Sequence, residues 1–146
     1  MKLLFGSILL AASTLASSQA INPAVTQSNI RTTICVSGWT ATIRPPDTYT
    51  TLLKLEQLAV MFPDLTPMQI RNTAKLYEED HILPLSSGGH PKSPKNLEPQ
   101  LWSGKYGAHA KDVIELKVHK DICLGKLTLA QGQEIFISGS WKTLVK

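Results

Sequence analysis

Apolar residues recur every three to four positions over several stretches of this chain, and each such stretch predicts a helix. From Thr50 to Phe62 the positions Leu52, Leu55, Leu58, Ala59 and Phe62 form one apolar stripe. Thr50 or Thr51 can cap its start, and Pro63 ends it. Thr66-Pro67-Met68-Gln69 opens a second helix, with Thr66 as N-cap, Pro67 at the first helical position and Gln69 completing a capping box. It should run to about Lys75 and bury Met68 or Ile70 together with Ala74. The longest pattern runs from Ala108 to about Leu124, with Gly125 beyond its end and Lys120 near its C-terminus, where cations are favoured. Val113, Leu116, Lys120 and Cys123 fall along one side of it, with Ile114, Val118 and Ile122 beside them. Lys111, Asp112, Glu115 and His119 lie along the other side. Thr128-Leu129-Ala130-Gln131 repeats the capping-box spacing and starts a last helix to about Ile137, after which Trp141 should fold back onto the core.

Between the helices the pattern shortens. Residues 21–33 are polar and poor in large apolar groups, which predicts a poorly ordered start. Thr32 to Val36 and Trp39 to Ile43 read as two short strands, separated by Ser37-Gly38 and stopped by Arg44-Pro45-Pro46-Asp47. Tyr77 to Leu83 reads as a strand bounded by Pro84, although Glu78-Glu79-Asp80 is a poor strand sequence. A local rule broken beside a histidine is the conflict expected at a functional site. Ser86-Ser87-Gly88-Gly89 is a turn, His90 to Lys95 an extended loop, and Asn96-Leu97-Glu98 the returning strand. The sum is an α+β fold: a hairpin-plus-helix core over 77–137, flanking helices and a short N-terminal β segment, within one domain over 21–146.

The first 20 residues stand apart. Lys2 gives a positive start, Leu3 to Leu15 is apolar but shorter than the ~20 residues a spanning helix needs, and Ser18-Gln19-Ala20 offers small residues for cleavage. This predicts a signal peptide, a secreted or periplasmic protein, and no stable membrane association once the peptide is removed. Export bears on the cysteines. Cys35 and Cys123 are the two in the chain, and an even count in an oxidising compartment predicts one disulfide, the alternative being two buried thiols. No Cys-x-x-Cys pair marks a zinc site. The formal charge of +4 is compatible with a polyanionic partner such as nucleic acid.

Asp80 and His81 concentrate the chemistry. Aspartate is an oxygen ligand suited to hard cations, and a histidine near neutrality can take a proton from water. The long helix offers Asp112, Glu115 and His119 opposite them, and Lys92, Lys95, Lys105 and Lys111 can attract phosphates. Read alone, this is equally a solvated face with an i, i+4 Glu115–His119 pair.

The run Asp80-His81-Ile82-Leu83-Pro84-Leu85, with Gly88-Gly89, then Asn96-Leu97-Glu98-Pro99-Gln100 and the helix from Ala108, resembles the HNH family of nucleases, also called the His-Me finger or ββα-metal group. The whole mature sequence is similar to small exported bacterial proteins of that kind. The resemblance implies an endonuclease of low sequence specificity that hydrolyses phosphodiester bonds in nucleic acid, DNA before RNA. His81 would be the general base, Asn96 would hold the loop that orients it, and Asp80 would bind Mg²⁺ or Mn²⁺. At the third motif position the chain departs from the family. Glu115 is the preferred second metal ligand there, with Asp112, His119 and His109 as competitors. Lys111, Lys95 and Arg44 are the expected phosphate contacts, Lys111 alternatively pairing with Glu115. The competing expectation is a non-catalytic module that binds nucleic acid or another polyanion on the same scaffold.

Overall fold

The computed structural model describes residues 19–146, so all but the last two residues of the predicted signal peptide lie outside the described residues. The elements run α1 (Trp39–Ile43), α2 (Asp47–Met61), α3 (Pro67–Thr73), β1 (Tyr77–His81), β2 (Leu97–Leu101), α4 (Ala108–Cys123) and α5 (Leu129–Ile137), joined by short 3₁₀ turns. The α+β class follows directly: a two-stranded antiparallel sheet set among helices. None of the described helices is long and apolar enough to cross a membrane.

The hairpin pairs Tyr77 with Leu101, Asp80 with Glu98 and His81 with Leu97. Strand alternation then sends Glu78 and Asp80 to one face and Glu79 to the other. Helix α2 lies across the Glu79 side. Its Lys54 Nζ donates to the Tyr77 carbonyl at 2.8 Å, and its Gln57 Nε2 donates to the Leu97 carbonyl at 3.0 Å. Helix α4 covers the Asp80 side. Both capping boxes form as the sequence predicts, at Thr66–Gln69 and Thr128–Gln131.

Two apolar clusters hold these layers. Leu58, Ile70 and Ala74 join α2 to α3, with Tyr77 packed against them. The larger cluster gathers Ile30, Ile34, Leu83, Ile114, Val118, Ile122, Phe136 and Trp141. Helices α4 and α5 approach closely because Gly132 has no side chain: a Cβ there would run into the Ile122 side chain. The 88-residue separation closed by the Cys35–Cys123 disulfide is worth about 4–5 kcal/mol on the chain-entropy account.

Three expectations are corrected. The N-terminal β segment is absent: residues Gln27–Thr32 form a 3₁₀ turn and Trp39–Ile43 a helix. The β-branched residues there serve as core plugs instead, Ile30 and Ile34 being buried, and no neighbouring strand offers them a partner. The chain start is also ordered. Val25 is buried, Asn22 N–H donates to the Gly88 carbonyl at 2.9 Å, His90 N–H donates to the Ala20 carbonyl at 2.7 Å, and Ile21 bridges Gly89. Finally, α4 is rotated from the predicted face. Val113 and Leu116 are 67% and 72% exposed, whereas Lys111, Ile114, Val118 and Ile122 are buried. With apolar residues nearly all round this helix, periodicity decides little, and the Lys111 ion pairs described below set its rotation.

Candidate functional site

One asparagine fixes the loop between the strands. Asn96 is fully buried. Its Oδ1 accepts from Leu83 N–H at 2.8 Å, and its Nδ2 donates to the Leu83 and His90 carbonyls at 3.0 Å each. Its own carbonyl accepts from Ile82 N–H at 2.8 Å. The loop from 82 to 96 is thereby tied at both ends by groups with no water to replace them. Gly88 adopts φ +83°, a region that favours glycine. At Gly89 a side chain would strike the Leu83 carbonyl and crowd the Asn96 amide.

This loop carries the Pro91 carbonyl to His81. His81 closes β1 and is 6% exposed, with Nε2 3.0 Å from that oxygen. A carbonyl only accepts, so the neutral ring carries its hydrogen on Nε2 and keeps a lone pair on Nδ1. Burial pushes the His81 pKa below its ordinary value, against the Pro91 contact and Asp80, which raise it. The imidazole is therefore neutral and basic at neutral pH. His90 shapes the same loop by accepting Lys92 N–H and Ser93 N–H on Nδ1.

Next to His81 lies a cleft of about 310 Å³, lined by Glu78, Asp80, Asp112 and Glu115, with Arg44 at its edge. Lys111 holds its wall together. Its Nζ, on a side chain 3% exposed, sits 2.7 Å from Asp80 Oδ2 and 2.9 Å from Glu115 Oε1, and donates to the His81 carbonyl. Asp80 Oδ1 accepts His81 N–H at 2.8 Å, so one carboxylate joins the base's backbone to α4. Burial alone would lower the Lys111 pKa, but Asp80 and Glu115 outweigh it and the ammonium titrates above its ordinary range. The Glu115 carboxyl is raised, chiefly by burial, with Lys111 opposing. Glu78 is pushed up to about 7 by burial and then by Asp80, Asp112 and Glu115.

Four carboxylates thus face one ammonium. Glu115 Oε1 is buried and has no well-directed hydrogen bond, only the 2.9 Å ion pair. An oxygen-rich, net negative cleft with an under-satisfied carboxylate fits a hard divalent cation, which Asp80 and Glu115 could hold with Glu78 and Asp112 around it.

The other predicted site residues are dispersed. Arg44 is exposed and borders both the acidic cleft and the neighbouring hollow over Glu79. Lys95 is exposed on the loop, outside the cleft. His109 is exposed at the start of α4, its ring 5.5 Å from that of Trp102, and also lies outside the cleft. His119 edges the cleft, but its Nε2 is 2.8 Å from the Ile34 carbonyl and its ring is close to the disulfide. Lys111 is corrected from a phosphate contact to an internal one, because its ammonium is buried between the two carboxylates. Sequence reasoning missed Glu78 and Glu79, although an acidic pair inside a strand signals them. Both Glu79 carboxylate oxygens are buried without a hydrogen-bond partner, and burial, opposed by Lys54, pushes the group up to about 7.

No known protein family, curated protein or solved structure matches this chain. Its function is therefore argued from its own residues.

Proposed function

We propose that this chain is an exported, metal-dependent endonuclease of the HNH kind that hydrolyses phosphodiester bonds, with DNA as the first substrate to test. The observation that carries the reading is the fixed tautomer of His81 beside an acidic cleft. In this account His81 Nδ1 takes a proton from water, and the water oxygen attacks phosphorus in line as the ester oxygen departs. Asp80 and Glu115 hold Mg²⁺ or Mn²⁺, whose chemistry is to stabilise charge on the phosphate and the leaving oxygen. Arg44, at the rim, meets an adjacent phosphate. Asn96 acts at one remove, through the loop that presents the Pro91 carbonyl. The surplus of carboxylates supports metal dependence, since a polyanion would be repelled from this cleft until a cation entered it. The Cys35–Cys123 disulfide fits a non-cytoplasmic compartment, and we take that compartment to be the periplasm or the exterior.

Nicking of supercoiled plasmid in Mg²⁺ or Mn²⁺, and its loss in EDTA, tests the reading. Absence of cleavage with every divalent cation would refute it. One observation favours a second reading. The Lys111 ammonium already fills the gap between Asp80 and Glu115. If no cation adds to that arrangement, the chain is a non-catalytic polyanion-binding module, with salt-sensitive DNA binding and no nicking.

A further inference from the structure

Beyond the acidic cleft, the fold brings together three soft ligands that no sequence spacing connects. Ligand-capable atoms of Cys35, His119 and Cys123 all lie within 4.8 Å of one another, and each residue is half-buried. A tetrahedral Zn²⁺ ion takes Zn–S of about 2.3 Å and Zn–N of about 2.0–2.1 Å, which sets its ligand atoms roughly 3.5–4 Å apart. Small side-chain rotations cover the difference once the two sulfurs are no longer bonded. The histidine is already oriented for the role. Its Nε2 donates to the Ile34 carbonyl at 2.8 Å, which leaves the Nδ1 lone pair as the ligand. Metal-bound histidines characteristically donate their other N–H to such a carbonyl. A cavity of about 420 Å³, lined by Ser37, Gly38, Thr40 and Ser86, adjoins Cys35 and His119 and leaves room for water at a fourth position. The chain has no other cysteine, so no rival thiol competes for the metal or for exchange.

We infer that the reduced chain carries a Zn²⁺ site made of Cys35, Cys123 and His119. The disulfide accepts two electrons and two protons from a dithiol reductant, which is itself oxidised to a disulfide. Zn²⁺ then displaces the two thiol protons, with no further change of oxidation state. Thiolate and imidazole select zinc, whereas the carboxylates of the acidic cleft suit Mg²⁺ or Mn²⁺, so the two sites do not compete. The metal takes over the disulfide's task of tying the segment around Ile34 to α4. This inference does not depend on nuclease activity.

The test is Co²⁺ titration of the full chain, reduced anaerobically with a phosphine. Thiolate-to-cobalt charge-transfer bands and the strong visible bands of tetrahedral Co²⁺ are expected, saturating at one ion per chain and displaced by Zn²⁺. Oxidised protein should give neither. His119→Ala should weaken binding at least tenfold and change the visible bands, while Cys123→Ser should abolish the site. If reduction unfolds the chain, Zn²⁺ should restore its far-UV circular dichroism. The inference is overturned by a reduced chain without charge-transfer bands, by an unfolded reduced chain that Zn²⁺ does not refold, or by His119→Ala binding as the parent does.

Discussion

Replacing Lys111 with methionine removes a charge and little else. Methionine fills most of the space of the lysine stem, so the packing of α4 is largely kept. What changes is the ammonium shared by Asp80, Glu115 and the His81 carbonyl. Removing one partner of a buried ion pair costs about 3–5 kcal/mol, because the other charge is left unpaired. Here the carboxylate side chains are 14% and 20% exposed and can reach some water, which favours the lower end, about 3 kcal/mol. For a domain of this size that corresponds to a loss of roughly 10 °C in melting temperature. The assay is thermal unfolding by circular dichroism in EDTA, at pH 7.5 and again at pH 5. The deficit should shrink in acid, where the stranded carboxylates can take up protons. Mg²⁺ or Mn²⁺ should also raise the melting temperature of Lys111→Met more than that of the parent, since a cation that binds the folded state stabilises it. A deficit under 1 kcal/mol, or one equal at both pH values and indifferent to cations, would refute the reasoning about this cluster.

Glu79 gives a stability prediction of defined sign. Its folded pKa of about 7 exceeds its model value of 4.5, so between those values the folded state binds more protons than the unfolded one. The stabilisation by its protonation is complete below about 4.5 and is lost as pH rises through about 7, so Glu79→Gln should gain on the order of 1 kcal/mol at pH 8, after allowance for its half-exposure, and almost nothing at pH 4. Parallel urea titrations at the two pH values measure it, and an equal gain at both contradicts it. Asn96→Ala should cost about 3 kcal/mol, from three lost hydrogen bonds at a fully buried position. Hydrogen exchange should then report an opened 82–96 loop, and unaltered protection there would contradict the assignment. Because burial lowers the His81 pKa, the acid limb of any cleavage rate should fall below the ordinary histidine value of about 6.5. A pH–rate profile that turns over above that value would contradict it.

The helices were legible because their signals are local. The capping boxes at Thr66 and Thr128 and the apolar stripe ending at Phe62 each lie within one element, and the structure bears them out. The hairpin was legible from Pro84 and the Gly-Gly turn, to within a few residues at each strand end. The N-terminal segment was misread because β-branched residues suit a core as well as a strand, and which use applies depends on Leu83 and α4, far off in sequence. The same limit governed the site. Asn96 and His81 could be named from the motif, but the Pro91 carbonyl that fixes the ring is a backbone group and leaves no mark on residue identity. Lys111 was seen as a cation, and only the packing of α4 on β1 makes it an internal one. The meeting of His119 with the disulfide is likewise a product of three separate segments.

The most direct test of the account is the single-turnover cleavage rate of the folded chain in saturating Mg²⁺ or Mn²⁺, compared with His81→Ala and His81→Gln. Glutamine can still donate to the Pro91 carbonyl, so it retains that loop contact while lacking a base. The account predicts that both variants stay folded and lose ~10²–10⁴-fold in rate, the typical contribution of a general base. Cleavage by His81→Gln at the parent's rate would contradict it.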